Sequence, residues 1–274
     1  MRLTLPYVVL ILVAGTLYFH SDSITALAQK SAKKAASNIV WVKQRDGLHL
    51  AQVFKESSAN SFKTEIILLK VDLDRFKIGV ADSRQHDKAR DSVKSLVKKS
   101  GAFAGINANF YGTDSKPLGL VIQSAKALNP LQKGGSVLTG VFYIKDGKAN
   151  IVHRDNFKVA GVDLAVQSGP RVISKGKLLS FKKSNGATRR SGVAVTKNNE
   201  IILFATRNRF PGARLEDIQK ILSDPSIAVT DVLNLDGGGS SQFFIDKSFL
   251  KDSSADIKMS GGDSVPITLT VSPR

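Results

Sequence analysis

The sequence feature with the most chemical content is a run of one carboxylate, three glycines and two hydroxyls directly after an apolar segment. In order, these residues are Asp236, Gly237, Gly238, Gly239, Ser240 and Ser241. Consecutive glycines let backbone N–H groups approach an anion, while the carboxylate can transfer a proton or bind a cation. The run predicts a site for a phosphate and a sugar. A glycine-rich connection between two strands is the structural alternative.

Two amide side chains form a second group. Asn107 and Asn109 follow the apolar segment 102–106 and precede Phe110 and Tyr111. Amides at the end of a strand can bind sugar hydroxyls, which is the functional interpretation. Asparagine is also an ordinary turn former, so this pair alone favours a turn.

Two further groups contain arginine. Ser168 and Gly169 precede Pro170 and Arg171, and Arg189 and Arg190 precede the apolar segment 192–197. The planar guanidinium offers two parallel hydrogen bonds to a phosphate, and an arginine that opens a strand is well placed to do so. Because Arg189 stands next to Arg190 and the chain contains other arginines, the pattern alone does not assign a phosphate to one of them.

Several common catalytic classes find no support in the chain. It contains no Gly-x-Ser-x-Gly elbow, His-Glu-x-x-His helix, phosphate-binding P-loop or Gly-x-Gly-x-x-Gly motif. Without cysteine there is no thiol nucleophile, cysteine-bound metal or disulfide. Histidines 49, 86 and 153 have no metal-ligand spacing, and we interpret them as structural or exposed.

The elements that must position these groups are mainly strands. Paired apolar segments predict three hairpins: Ile39–Val42 with Leu48–Phe54, Thr64–Val71 with Phe76–Ala81, and Val137–Lys145 with Ala149–His153. Further strands are predicted at 102–107, 118–123, 162–167, 171–174, 192–197, 200–206, 230–235, 242–245 and 265–272. Helices are predicted only at 89–99 and 215–222. This composition predicts an α+β fold around a mixed, mostly antiparallel, twisted sheet with a few short helices packed on it.

The N-terminus has the pattern of an export signal. Arg2 precedes an apolar stretch from Tyr7 to Phe19, which is shorter than a comfortable membrane span, and Ala26-Leu27-Ala28 is a small-residue cleavage site. We expect a signal peptide at 1–28, a flexible tether at 29–38 and one domain at 39–274. The protein would be periplasmic or secreted, and an uncleaved membrane anchor is the alternative.

The chain is strongly basic, with a formal charge of +17. The positive residues are dispersed in short pairs and do not form one long tract. For an exported protein, the expected anionic partners are envelope polymers. Nucleic acid is not expected, because no recognition helix, zinc finger or RNA-stacking motif is present.

Taken in chain order, the four groups resemble the phosphodiester glycosidase family, and in particular its bacterial branch. The likeness extends from Asn107 to Ser241, and its most specific part is the run that begins at Asp236. The family's usual Asn-Gly-Gly is Asn107-Ala108-Asn109 here, and its Arg-Thr-Ala-Ile-Gly is replaced by the segment 190–194. These departures leave the identity of the sugar open.

The resemblance implies a hydrolase that cleaves a sugar-1-phosphodiester into a free sugar and a phosphomonoester. It implies catalytic roles for Asp236, Arg190 and Asn107. The implied substrate-binding residues are Asn109, Ser168, Gly169, Gly237, Gly238, Gly239, Ser240 and Ser241. No cofactor is required on this interpretation; a divalent cation bound by Asp236 is the alternative to acid/base catalysis. A second hypothesis is a non-catalytic binder of anionic envelope glycans. The oligomeric state is not predicted.

Overall fold

The computed structural model describes residues 39–56, 63–181, 186–207 and 212–274. Residues 39–274 form one compact unit. The predicted signal peptide and tether lie outside the described residues, so both stay predictions.

Eighteen strands are present in the described part of the chain. They are β1 Val42–Arg45, β2 Leu48–Glu56, β3 Lys63–Asp72, β4 Phe76–Asp82, β5 Ala104–Asn107, β6 Val121–Gln123, β7 Lys126–Asn129, β8 Gly140–Lys145, β9 Lys148–His153, β10 Val162–Ser168, β11 Arg171–Ser174, β12 Lys177–Leu178, β13 Ser191–Thr196, β14 Glu200–Thr206, β15 Val229–Asn234, β16 Phe243–Ile245, β17 Ile257–Met259 and β18 Ile267–Pro273.

These strands form three sheets, and every pairing among them is antiparallel. The largest sheet has the order β1-β2-β3-β14-β13-β15-β11-β12. The two five-stranded sheets have the orders β7-β6-β10-β8-β9 and β17-β16-β5-β18-β4. The predicted α+β class with mostly antiparallel strands is confirmed; the strands divide among three sheets.

Two α-helices lie within the described ranges, α1 Val93–Lys99 and α2 Leu215–Leu222. Helix α1 begins later than predicted because Asp91 pairs with Val265 as an isolated bridge and the Ser92 hydroxyl then caps the helix by accepting from Ser95 N at 3.2 Å. Its apolar stripe is buried, as expected. Neither helix of the described ranges has the length and hydropathy needed to cross a membrane.

One predicted hairpin is wrong. Strands β3 and β4 are consecutive in sequence but lie in different sheets, since β3 pairs with β2 and β14 whereas β4 pairs with β18. Between them the chain turns through buried Leu73 to buried Phe76. Burial of these side chains between two sheets therefore outweighs the pairing of sequence neighbours.

The main core lies between the inner faces of all three sheets. It contains Leu69 and Leu233 from the largest sheet, Phe142 and Val166 from the second, and Ile106 from the third, all fully buried. A separate cluster covers the other face of the largest sheet, where α2 packs. The end of β15 is buried on both faces, with Leu233 in the main core and Val232 in the second cluster, and Asp236 follows directly after the buried Leu235.

Candidate active site

The backbone of Asp236 is fixed by two segments that are distant from it in sequence. Its N–H donates to Ala108 O at 3.1 Å. Its carbonyl oxygen accepts from Asn107 Nδ2 at 2.7 Å and from Ser191 Oγ at 2.6 Å. These bonds hold the residue directly beyond β15, with its side chain only partly covered.

The Asp236 carboxyl group is easier to protonate than an ordinary aspartate. Burial raises its pKa to about 6, and the negative charge of Asp263 acts in the same direction. Hydrogen bonds from the Ser240 hydroxyl and the Gly237 N–H partly oppose this rise. Both protonation states of Asp236 are consequently accessible near neutral pH, as proton transfer requires.

The glycine run forms a tight loop in which space is limited. Gly238 has a φ of +58°, and a Cβ at Gly239 would collide with the Asp263 carboxylate. The Gly239 carbonyl accepts N–H groups from Gly262 at 2.8 Å and Asp263 at 3.1 Å. At positions 238 and 239 glycine is therefore required by backbone conformation and close packing.

The backbone N–H groups of this loop also have protein partners. Gly237 N–H bonds to the Asp236 carboxylate, and Gly238 N donates to Arg189 O at 2.9 Å. Ser240 N donates to Gly237 O at 3.1 Å. The backbone N–H groups that were predicted to bind a phosphate are thus partly used to stabilise the loop itself.

The two asparagines hold protein segments together and do not face open space. Asn107 is fully buried; besides its bond to the Asp236 carbonyl it accepts Gln242 N at 3.0 Å. Asn109 Nδ2 is buried against three carbonyl oxygens, those of Leu118, Leu120 and Gln167. The structure therefore corrects the expectation that they orient a sugar directly: Asn107 positions the loop that begins at Asp236, and Asn109 links the segment 118–120 to β10.

The two adjacent arginines have different surroundings. Arg190 Nε donates to Ala213 O at 3.1 Å and its Nη2 donates to Gly186 O at 2.9 Å. Burial lowers the pKa of Arg190, and nearby Glu216 and Asp217 oppose this. In the pairing of β13 with β15, residue 192 lies opposite residue 234, and the bond from Leu235 N to Ser191 O at 2.9 Å continues this register. Position 190 therefore lies opposite position 236.

Arg189 is more important than the sequence indicated. It is 8% exposed, and its Nη2 donates to the Ser241 carbonyl at 2.6 Å. Together with the bond from Gly238 N to the Arg189 carbonyl, this contact ties both ends of the glycine loop to one residue. Arg189 was missed because these contacts join segments about fifty residues apart, which a local pattern does not reveal.

Two other residues at the loop were also missed. The Tyr111 hydroxyl lies 3.4 Å from the Ser240 hydroxyl, and the Arg90 guanidinium lies 5.0 Å from the centre of the Tyr111 ring. Asp263 packs on Gly239, as described above. The two aromatic residues that follow Asn109 could have pointed to Tyr111, whereas the sequence around Asp263 gives no indication of its role.

A cavity of about 640 Å³ adjoins the strand ends that lead to the loop. It is called the Arg171 cavity here, and its lining includes Phe110, His153, Arg171, Phe181, Arg190 and Asn234. Gly169 also lines it, while the neighbouring Ser168 is fully buried with a hydroxyl that has no hydrogen-bond partner among the described residues. Asn234 Nδ2 donates to Gly169 O at 2.9 Å, which connects β15 to the cavity wall.

The described residues contain no cluster of three or more His, Asp or Glu side chains placed to hold a metal ion. The acidic residues at the loop are Asp236 and Asp263. Of the histidines, His49 is partly buried, with a pKa lowered first by burial and then by Lys70, and His153 lines the Arg171 cavity.

Comparison with known proteins identifies both family and fold. Residues 100–268 match the phosphodiester glycosidase family. The fold is similar to that of the catalytic domain of zebrafish N-acetylglucosamine-1-phosphodiester alpha-N-acetylglucosaminidase, auto-inhibited by its pro-peptide: TM-score 0.63, 16% identity, and coverage of 86% of this chain and 88% of that chain. It is also similar to a Synechocystis protein, with TM-score 0.57, 16% identity, and coverage of 88% of this chain and 64% of that one. A search of curated proteins finds no match.

Proposed function

Since the chain belongs to the phosphodiester glycosidase family, we propose that it hydrolyses sugar-1-phosphodiesters of the N-acetylglucosamine-1-phosphate type in a glycan or glycopolymer of the cell envelope. The products are a free sugar and a phosphomonoester. The observation that carries this proposal is the Asp236 carboxylate, fixed at a strand end beside a glycine loop and with a pKa of about 6.

Asp236 acts as the general base. A phosphomonoester has a second pKa of about 6, so it leaves readily as a dianion without being protonated. Water is far more reluctant to lose a proton, and proton removal from the attacking water is the step that needs assistance. A positioned carboxylate with a pKa near the working pH supplies it.

The reaction follows from this assignment. The water oxygen forms a bond to the anomeric carbon as its proton moves to Asp236, and the bond from that carbon to the phosphate oxygen breaks. The bonding electrons stay on the phosphate, and Asp236 then releases its proton to solvent. Arg190 binds the phosphate as its charge rises, while Asn107 and Arg189 act as positioning residues that fix the loop.

Turnover of a diester of N-acetylglucosamine-1-phosphate and glycerol tests the proposal. We expect kcat/KM to rise with pH through about 6 and then to level off, because the base is active only when the Asp236 carboxyl is ionised. In ¹⁸O-labelled water, the label should enter the sugar. Label in the phosphate would refute cleavage at the anomeric carbon, and a falling pH profile would refute the base.

Arg190→Lys distinguishes the paired hydrogen bonds of a guanidinium to the phosphate from the effect of a positive charge alone. Lysine keeps the positive charge but loses the planar fork, so we expect kcat/KM to fall by about 10- to 100-fold, the range for a charge-assisted hydrogen bond. The bonds to the Ala213 and Gly186 carbonyls also weaken and lower the melting temperature, so turnover is compared at a temperature where both proteins are fully folded. Arg75→Lys, at an exposed position in the turn between β3 and β4, is the matched control. Equal effects at the two positions would remove Arg190 from the phosphate site.

We also propose that the protein acts after export, in the periplasm or outside the cell, where its charge of +17 favours contact with anionic envelope polymers. The support is the N-terminal signal pattern, and the mass of the protein recovered from the envelope fraction tests it. Binding of the diester without turnover would favour the alternative, a glycan-binding module.

A further inference from the structure

The Arg171 cavity has an unusual charge balance for a partly enclosed space. Its described lining contains Arg171, Arg190 and His153 but no aspartate or glutamate. Phe110 and Phe181 contribute aromatic surface to the same lining. A volume of about 640 Å³ lies within the usual range for a small-molecule site and is larger than one phosphate group needs.

Arg171 differs from Arg84 and Arg207 in how its charge is compensated. Arg84 pairs with Asp82 at 2.6 Å and Arg207 pairs with Glu65 at 3.0 Å. Arg171 Nη1 instead donates to the neutral Ser174 hydroxyl at 2.9 Å, and its buried Nε has no hydrogen-bond partner among the described residues. Burial lowers the pKa of Arg171, and Asp231 offsets this only through its charge.

The absence of a side chain at Gly140 leaves room for the aliphatic part of the Arg171 side chain. A Cβ at Gly140 would lie 2.8 Å from Arg171 Cγ. The same Cβ would lie 2.3 Å from Leu233 Cδ1, so the glycine at the start of β8 leaves room both for the core residue Leu233 and for the arginine to pass along the wall.

The cavity walls are held by buried polar side chains. Arg154 donates to Leu138 O at 3.1 Å and Gly135 O at 2.7 Å, on either side of the lining residues Ser136 and Val137. On another wall, Gln219 Nε2 donates to the carbonyl oxygens of Val172 and Leu179 at 2.8 and 2.7 Å. A fixed wall reduces the ordering cost of binding, so the cavity is organised before a ligand arrives.

We propose that the Arg171 cavity binds a second anionic group on the aglycone, so that the preferred substrates are sugar-1-phosphodiesters whose leaving portion carries another phosphate or carboxylate. This inference rests on the proposed function. It assigns the phosphodiester to Arg190 and the second anion to Arg171, with the aromatic residues contacting the segment between them. Arg171 is a specificity-determining residue in this arrangement, outside the proton-transfer step.

Three matched diesters of N-acetylglucosamine-1-phosphate test the inference. Their aglycones are glycerol, glycerol 3-phosphate and glycerate, so the second and third add a phosphate or a carboxylate to the first. We expect kcat/KM to be about 10- to 100-fold higher for at least one of the charged aglycones, the range for a hydrogen bond to a charged group. The charged aglycone with the higher kcat/KM identifies the anion that the cavity binds. Equal values for all three would overturn the proposal.

Variants at position 171 connect the preference to the arginine. Arg171→Gln should abolish the preference while leaving kcat/KM for the glycerol diester within about twofold, and Arg171→Lys should retain part of it because the charge remains. Arg75→Gln removes the same charge from an exposed turn and should leave the preference intact. A preference that survives in a folded Arg171→Gln protein would overturn the assignment.

Binding measurements keep this inference separate from the proposed function. Calorimetric titration with glycerol phosphate and with glycerol bisphosphate compares one anion with two and needs no turnover. Tighter binding of the bisphosphate, lost in Arg171→Gln, supports the cavity even if no diester is hydrolysed. Equal affinities would overturn the phosphate form of the proposal, and 3-phosphoglycerate in place of the bisphosphate tests the carboxylate form.

Discussion

Replacing Asp236 by asparagine should make the protein more stable and less active at the same time. The carboxyl group has a pKa of about 6 in the folded protein against an ordinary 3.8. At about 1.4 kcal/mol for each tenfold change in proton affinity, this rise corresponds to about 3 kcal/mol. Asparagine has the same shape but no charge, so it relieves the cost of keeping a partly buried carboxylate ionised.

The effect must depend on pH. Below the ordinary pKa of 3.8, Asp236 is protonated in both the folded and unfolded states, and the substitution should change little. Between about pH 4 and 6 the unfolded state loses the proton first, so wild-type stability falls as pH rises through this window, and above about 6 the full cost is present. Thermal melts at pH 8 should favour Asp236→Asn by roughly 5–10 °C, and melts near pH 4 by almost nothing.

Activity should move in the opposite direction, because the amide cannot take a proton from water. We expect kcat to fall by about 10² to 10⁴-fold, the usual contribution of a positioned acid or base. A stabilised protein with wild-type turnover would refute the general base. If Asp236→Asn is no more stable than wild type at pH 8, the elevated pKa of Asp236 is refuted, and with it the argument for proton transfer near neutral pH.

Asp91→Asn is the matched control, because its expected effect on stability has the opposite sign. Burial alone would raise the pKa of Asp91, but hydrogen bonds from Lys99, Ser95 and Ser92 lower it well below its usual range. Its ionised form therefore stabilises the fold above the ordinary pKa, and this contribution is lost as the pH falls. Asp91→Asn should lower the melting temperature at pH 8 and have a smaller effect in acid.

Three further substitutions test the support of the loop. Arg189→Lys should lower the free energy of unfolding by about 1–2 kcal/mol, because the contact to the Ser241 carbonyl at 2.6 Å is lost; an unchanged denaturation midpoint would contradict this. Asn107→Ala removes the partner of the Gln242 N–H and one of the two donors to the Asp236 carbonyl, and should cost about 1–3 kcal/mol as well as activity, measured by denaturant unfolding and turnover. Gly239→Ala should displace Asp263 and shift the pH–rate profile to lower pH, since a negative charge that raises the Asp236 pKa moves away; an unmoved profile would show that Asp263 does not influence it.

Much of the local structure could be predicted because it depends on neighbouring residues. The apolar run 230–235 gave strand β15 within one residue at each end, so Asp236 was correctly expected just beyond a strand. Helix α2 occupies the predicted residues, with Leu215, Ile218 and Leu222 buried on one face. Short strands such as β7, β12 and β17 were missed because two to four residues carry too little periodicity.

Assembly of the site could not be predicted because it depends on contacts between distant segments. The loop is linked to Asn107 across 129 residues, and Arg189 reaches the Ser241 carbonyl across 52. The sequence suggested that both asparagines face a ligand, whereas burial makes them internal supports. The separation of β3 and β4 into different sheets likewise depends on the whole core and not on the turn that joins them.

The position of β18 has a consequence for the order in which the protein matures during synthesis. This final strand lies between β4 and β5 in its sheet, and residues 262 and 263, just before it, hold the Gly239 carbonyl. A nascent chain that still lacks residues 255–274 can neither close that sheet nor complete the glycine loop. The third sheet and the loop around Asp236 therefore depend on the same late segment, and both are completed only when that segment folds against β4 and β5.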